Sequence, residues 1–93
     1  MDSRNAVFKA LADPTRREIV KMLRREPLSS GQIAEHFNSA WPTISRHLAI
    51  LRDANLILAE RNGNSIRYEL NTTILQELVE YLFDWTQKGE DNA

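Results

Sequence analysis

Few groups of residues in this 93-residue sequence have side chains suited to chemistry, and their spacing decides between them. Ser45, His47 and Asp53 supply the groups of a hydrolytic triad, but all three fall on one predicted helix. Side chains two and six positions apart on a helix diverge instead of meeting at a reacting atom. Glu77, Glu80 and Asp84 have helical spacing that suits a hard cation; without imidazole partners they read as a solvated acidic face. The sequence contains no cysteine, which removes disulfides, iron–sulfur clusters, thiolate metal sites and thiol redox sensing. No glycine loop of the phosphate-cradling kind is present, so neither an enzyme nor a metal or cofactor site is expected. What remains is Ala40, Trp41, Pro42, Thr43, Ser45, Arg46 and His47, whose chemistry is hydrogen bonding. Arg46 can bond a guanine edge bidentately or clamp a phosphate. Ser45 and Thr43 are short donors for either target, and the Thr43 and Ala40 methyls can meet a thymine methyl.

The helix that must carry these groups has a clear division of faces. Ile44, Leu48 and Leu51 recur at three and four residues and hold it to a body, while Pro42, Ser45, Arg46 and Ala49 fall on the opposite side with Thr43 at the margin. Either Ser39 or Trp41 can cap it, and Pro42 sits in the first turn, where a missing N–H costs little. Trp41 has two readings, as a lid on the core or as an exposed aromatic touching sugar or base methyls. His47 lies beside the buried face, which suits hydrogen-bonded packing, with contact to DNA as the alternative.

Around this helix the chain reads as helix, helix, helix, helix, hairpin, helix. The first runs from about Arg4 to Leu11, and Asp13-Pro14 opens the second with a capping acceptor and a residue favoured at the first helical position. Ile19, Val20 and Leu23 form its buried face. Its basic residues, Arg16, Arg17, Lys21, Arg24 and Arg25, read as solvated surface, with Arg16 and Arg17 placed to reach a phosphate. Pro27-Leu28 breaks the pattern, Ser29 to Gln32 has capping-box spacing, and the short third helix turns Ile33, Ala34 and Phe37 inward before Asn38, a left-handed terminator. From Leu56 to Leu70 the period changes to two, across the turn Asn62-Gly63-Asn64-Ser65, which signals a hairpin. Arg61, Asn62, Asn64 and Arg67 at its tip suit phosphates or the minor groove. The last helix carries a broad apolar band through Ile74, Leu75, Leu78, Val79, Leu82, Phe83 and Trp85.

Two short helices joined by a tight turn and followed by a basic hairpin make a mainly α winged helix-turn-helix, in which the second helix enters the major groove. Residues 1–88 form this single domain and 89–93 are expected to fray. The net charge of −1 conceals an asymmetry: residues 1–71 hold eleven of the twelve Lys/Arg against eight of the thirteen Asp/Glu. A basic body with an acidic end can present a positive face to phosphate. A domain this small gains from pairing with another subunit. With no membrane-length apolar run and no apolar core of a signal peptide near the start, a cytoplasmic location is expected.

The segments Phe8 to Ile19 (FKALADPTRREI), Ile33 to Phe37 (IAEHF), Pro42 to Leu48 (PTISRHL) with Leu51, and Arg61 to Tyr68 (RNGNSIRY) together resemble the ArsR/SmtB family of bacterial repressors over nearly the whole chain. The resemblance implies a homodimer whose first and last helices pack across a two-fold axis, with Val7, Phe8, Leu11, Leu75, Leu78, Val79, Leu82 and Phe83 at the interface. It also implies a double-stranded operator that is an imperfect palindrome, with half-sites roughly 10 bp apart. Many relatives sense metals through cysteines in the third helix or Asp/His/Glu sets on the last; here Ser29 to Gln32 and a His-free last helix stand in those places. The chain therefore resembles the metal-independent autorepressor branch, in which a protein partner relieves repression by sequestration. The competing reading is a winged helix that has abandoned DNA for protein contacts, with Trp41 and Ile50 as apolar anchors.

Overall fold

The computed structural model describes residues 3–88, so the fraying expected of 89–93 lies outside the described residues. Five helices and three strands follow in the order α1 (Ser3–Ala10), α2 (Pro14–Arg25), β1 (Leu28–Ser29), α3 (Ser30–His36), α4 (Trp41–Asp53), β2 (Ile57–Asn62), β3 (Ser65–Leu70) and α5 (Thr72–Asp84). The antiparallel sheet has the order β1-β3-β2. Ile19, Leu23, Ile33, Ile44, Leu48, Leu51, Leu56 and Ile57 form a dry centre, so α2, α3, α4 and β2 contribute to one core.

Local chemistry explains most of the boundaries. Asp13 accepts from the amides of Thr15 (2.8 Å) and Arg16 (3.2 Å), with Pro14 as the first residue of α2. Ser29 and Gln32 form the expected capping box at α3, each side chain bonding the other's backbone amide. The wing turn closes on Gly63, whose φ of 67° needs glycine, and the Ser65 hydroxyl donates to the Asn62 carbonyl. Asn62 pairs with Ser65, so the two-residue loop is Gly63-Asn64.

Several expectations are corrected. The break at Pro27-Leu28 leads into a strand: Leu28 and Ser29 pair with Tyr68 and Arg67, giving the sheet a third member. Neither Ser39 nor Trp41 caps α4; Ala40 holds that position and offers no side-chain bond. The left-handed residue is Asn55 (φ 63°), not Asn38. It ends α4 in a Schellman motif, with Leu56 N donating to Leu51 O and Asn55 N to Arg52 O, and with both leucines buried. Asn71 then ties α5 to this corner, its side-chain amide donating to the Asn55 carbonyl at 2.9 Å.

The molecule is elongated, with a radius of gyration of 15.2 Å and a long dimension of 53 Å; a compact chain of this length gives about 12 Å. Helix α5 sits at the margin, with Leu78 as its one fully buried side chain. An aromatic cluster of Phe8, Tyr81 and Trp85 fastens it to α1, and the Arg4 guanidinium lies 3.9 Å from the Tyr81 ring centre.

Candidate nucleic-acid interface

Helix α4 separates what holds it from what it offers. Ile44, Leu48 and Leu51 are buried, while Ala40, Trp41, Pro42, Thr43, Ser45 and Arg46 are exposed as one surface around its N-terminal turns. Trp41 is 47% exposed, which settles its two readings in favour of the surface. Neither Arg46 nor the Ser45 and Thr43 hydroxyls has a hydrogen bond or ion pair among the described residues, so their donors are open to solvent. Ile50, offered as a protein anchor, packs against the core instead.

The wing contributes two cations on opposite faces. Register pairs Arg61 with Ile66 and Arg67 with Glu60, and paired residues on antiparallel strands share a face. Arg61 therefore extends the face of Ile57, Tyr68 and Leu70 outward beyond the core. Arg67 lies on the other face among Glu60 and Glu69, and it is also paired with Ser29 of β1. Two carboxylates weaken the field of Arg67. Arg61, Asn62 and Asn64 are exposed around the wing turn.

Arg16 has a different employment from the one the sequence suggested, whereas His47 takes the hydrogen-bonded packing role expected beside the buried face. Arg16 Nε donates to the Ala10 carbonyl at 2.6 Å, one terminal nitrogen donates to the Lys9 carbonyl at 3.1 Å, and the other lies 3.1 Å from His47 Nδ1. The guanidinium thus faces into the molecule instead of toward a phosphate. His47 is mostly buried, with Asp13 Oδ2 at 3.9 Å from Nδ1. Partial burial pushes the Asp13 carboxyl up, but the hydrogen bonds from the Arg16 and Thr15 amides, with the Arg16 charge nearby, outweigh it and hold it below its ordinary value. Ser45, His47 and Asp53 do not converge: Ser45 is exposed, His47 faces Arg16, and Asp53 meets Arg52.

Residues 13–58, which run from the α2 cap through the helix-turn-helix into β2, match the family described as bacterial regulatory proteins of the arsR family. Over 88 residues the chain is 46% identical to the transcriptional repressor SdpR of Bacillus subtilis, covering 95% of this chain and 98% of that one. The chain belongs to the ArsR family. Over 78 residues it is 35% identical to the arsenical resistance operon repressor of Staphylococcus xylosus, covering 84% and 71% of the two chains. An ArsR-like transcriptional regulator from Rhodococcus sp. RHA1 superposes with a TM-score of 0.81 at 28% identity over 90% of this chain and 79% of that one. Membership assigns the protein to transcription regulators, not enzymes.

The eight residues expected at an ArsR-type pairing surface divide in two. Val7 and Leu78 are buried in the protomer's own core and are not part of the outer stripe. Phe8, Leu11, Leu75 and Leu82 are half-buried, and Val79 and Phe83 are 53% and 60% exposed. Tyr81 and Arg4 were missed as fasteners between α1 and α5; an aromatic between Leu78 and Trp85 was the available signal. No helix among the described residues is long and apolar enough to cross a membrane.

Proposed function

We propose that this ArsR-family chain is a cytoplasmic, homodimeric transcriptional repressor that binds a double-stranded operator through α4 and the wing. The observation that carries the reading is the N-terminal surface of α4, where Thr43, Ser45 and Arg46 are exposed and unpaired on a helix clamped by three buried aliphatic residues. Arg46 reads or clamps, Thr43 and Ser45 add short contacts, and Ala40, Trp41 and Pro42 allow close approach to the groove wall. His47 supports this surface from behind. Arg61, Asn62 and Asn64 reach the flanking backbone, with Arg67 a weaker contributor.

The stripe Leu75, Val79, Leu82 and Phe83 with Phe8 and Leu11 forms the dimer contact. Large exposed apolar side chains at a spacing of three and four residues are what a second helix covers. A two-fold pair of α4 helices fits an imperfect palindrome with half-sites about one helical turn apart. Repression is the direction carried by the names of both relatives. The absence of cysteine throughout and of histidine from α5 supports regulation without a metal, and relief by a sequestering protein partner is the remaining element of the reading.

The test is an anisotropy titration of the purified protein against duplex DNA from upstream of its own gene, at two salt concentrations and with a chelator present. Tight binding at two chains per site, weakening steeply with salt and indifferent to the chelator, is the expected result. Absence of even nonspecific duplex binding at low salt sinks the reading.

A further inference from the structure

Three elements meet at the start of α2, and one side chain joins them. The carboxyl end of α1 presents the Ala10 carbonyl and the Lys9 carbonyl, the latter also accepting from the Ala12 amide at 3.1 Å. Arg16 bonds both of them and reaches His47 of α4 with its remaining terminal nitrogen. Arginine has donors only, so in this hydrogen bond Nδ1 of His47 is the acceptor. The Asp13 carboxylate, fixed by the two amides it caps, faces the same Nδ1 edge from 3.9 Å.

We propose that Arg16 and His47 are positioning residues that set the rotation of α4 about its own axis and couple it to α1. The proposal rests on the DNA-binding reading above. The apolar contacts of Ile44, Leu48 and Leu51 hold α4 against the body, but dispersion and apolar burial have no preferred direction, so a helix seated on them alone can turn by small angles. A hydrogen bond from a planar, doubly anchored guanidinium does have a direction. His47 follows Arg46 directly, so fixing its ring fixes the angle at which Ser45 and Arg46 leave the helix. At the other end, α1 carries Phe8, which stacks with Trp85 and packs against Tyr81 of α5. A rigid line thus runs from the α1/α5 unit, the proposed pairing unit, to the base-facing surface.

Arg16→Lys keeps a positive charge but loses the fork. His47→Leu removes the acceptor, while His47→Asn restores one near the place of Nδ1. Operator and nonspecific duplex affinities are measured for each across a salt series, with circular dichroism and sedimentation to confirm a folded protein of unchanged assembly. Arg16→Lys and His47→Leu are expected to lose about tenfold in operator affinity with nonspecific affinity and salt slope unchanged. His47→Asn should recover most of that loss, and the Arg16→Lys/His47→Leu double variant should be no worse than the weaker single one. Operator binding by Arg16→Lys equal to wild type, or a parallel fall in both affinities with a shallower salt slope, would make Arg16 a phosphate contact and overturn the proposal. Additive losses in the double variant would also overturn it. Failure of the wild-type protein to bind any duplex sinks both readings, whereas a binding wild type with unaffected variants sinks this one alone.

Discussion

The N-terminal surface of α4 and the outer stripe of α5 are both left uncovered by the protomer, yet they are uncovered in different chemistry. On α4 the exposed groups are a guanidinium and two hydroxyls with no acceptor among the described residues; on α5 and its C-cap they are Val79, Phe83 and Trp85, with nothing to accept or donate along most of their surface. Water satisfies the first set at little cost and penalises the second. Leaving Phe or Val in water instead of burying it costs about 1.5–3 kcal/mol for each side chain. The α4 surface can therefore wait for its partner, while the α5 surface is driven toward one. In an operator-binding dimer this ordering puts assembly before DNA, and the spacing of the two α4 helices is set before either meets a groove.

The sharpest way to break this comparison is within α5 itself, where Leu78 is buried and Phe83 is exposed. Leu78→Asp puts a charge into the protomer core and should destabilise folding by about 3–5 kcal/mol, read as a large fall in Tm. Phe83→Asp lies on the outer stripe and should leave a folded monomer, checked by sedimentation alongside circular dichroism. A Phe83→Asp protein that remains dimeric would move the interface away from α5. On α4 the matching change is Arg46→Ala, expected to reduce operator affinity by about 1–3 kcal/mol while leaving Tm and dimerisation intact. An unchanged affinity would take Arg46 out of the contact surface.

Whether a feature was legible in the sequence depended on the reach of the interactions behind it. The Asp13 cap, the Ser29/Gln32 capping box, the wing turn and the Ile44/Leu48/Leu51 stripe involve residues within a few positions, so residue type and period were enough. The third strand depends on Leu28 meeting Tyr68, and nothing in a two-residue segment announces a partner forty positions away. Arg16 and His47 are separated by thirty-one residues, and Arg16 looked like one more surface cation because four other basic residues share α2 with it and no periodic signal singles it out. Leu78 and Val79 show the same limit on one helix: an apolar band states that a face is broad, and only packing states which half is already covered. The α4 surface was readable because its small polar residues are local; its orientation was not, because that is set from α1.

A smaller effect separates the wing from α4. Arg61→Ala should weaken operator and nonspecific duplex binding alike, by a few-fold, and reduce the salt slope by about one. A loss confined to one operator base pair would instead assign Arg61 a reading role, and the contrast between a reading helix and a clamping wing would disappear. Arg67→Ala, between two carboxylates, should do less.

The smallest predicted effect concerns acid stability and isolates the Asp13 charge from its cap. Its carboxyl is held below the ordinary aspartate value in the folded chain, so the folded state binds a proton less readily than the unfolded chain does. By linkage, Asp13 adds stability above the unfolded value near about 3.9, and that contribution drains away as pH falls through the lower folded value. Asn is as good a helix cap as Asp but has nothing to titrate. Asp13→Asn should therefore leave α2 capped at neutral pH with a slightly lower Tm, from the lost attraction to Arg16 and the α2 amides. Below about pH 4 the gap between the two proteins should narrow, since protonation takes the same charge from wild type. A gap in Tm that is constant across that range would mean the carboxylate contributes through shape alone, and the electrostatic link among Asp13, Arg16 and His47 would reduce to the Arg16–His47 hydrogen bond.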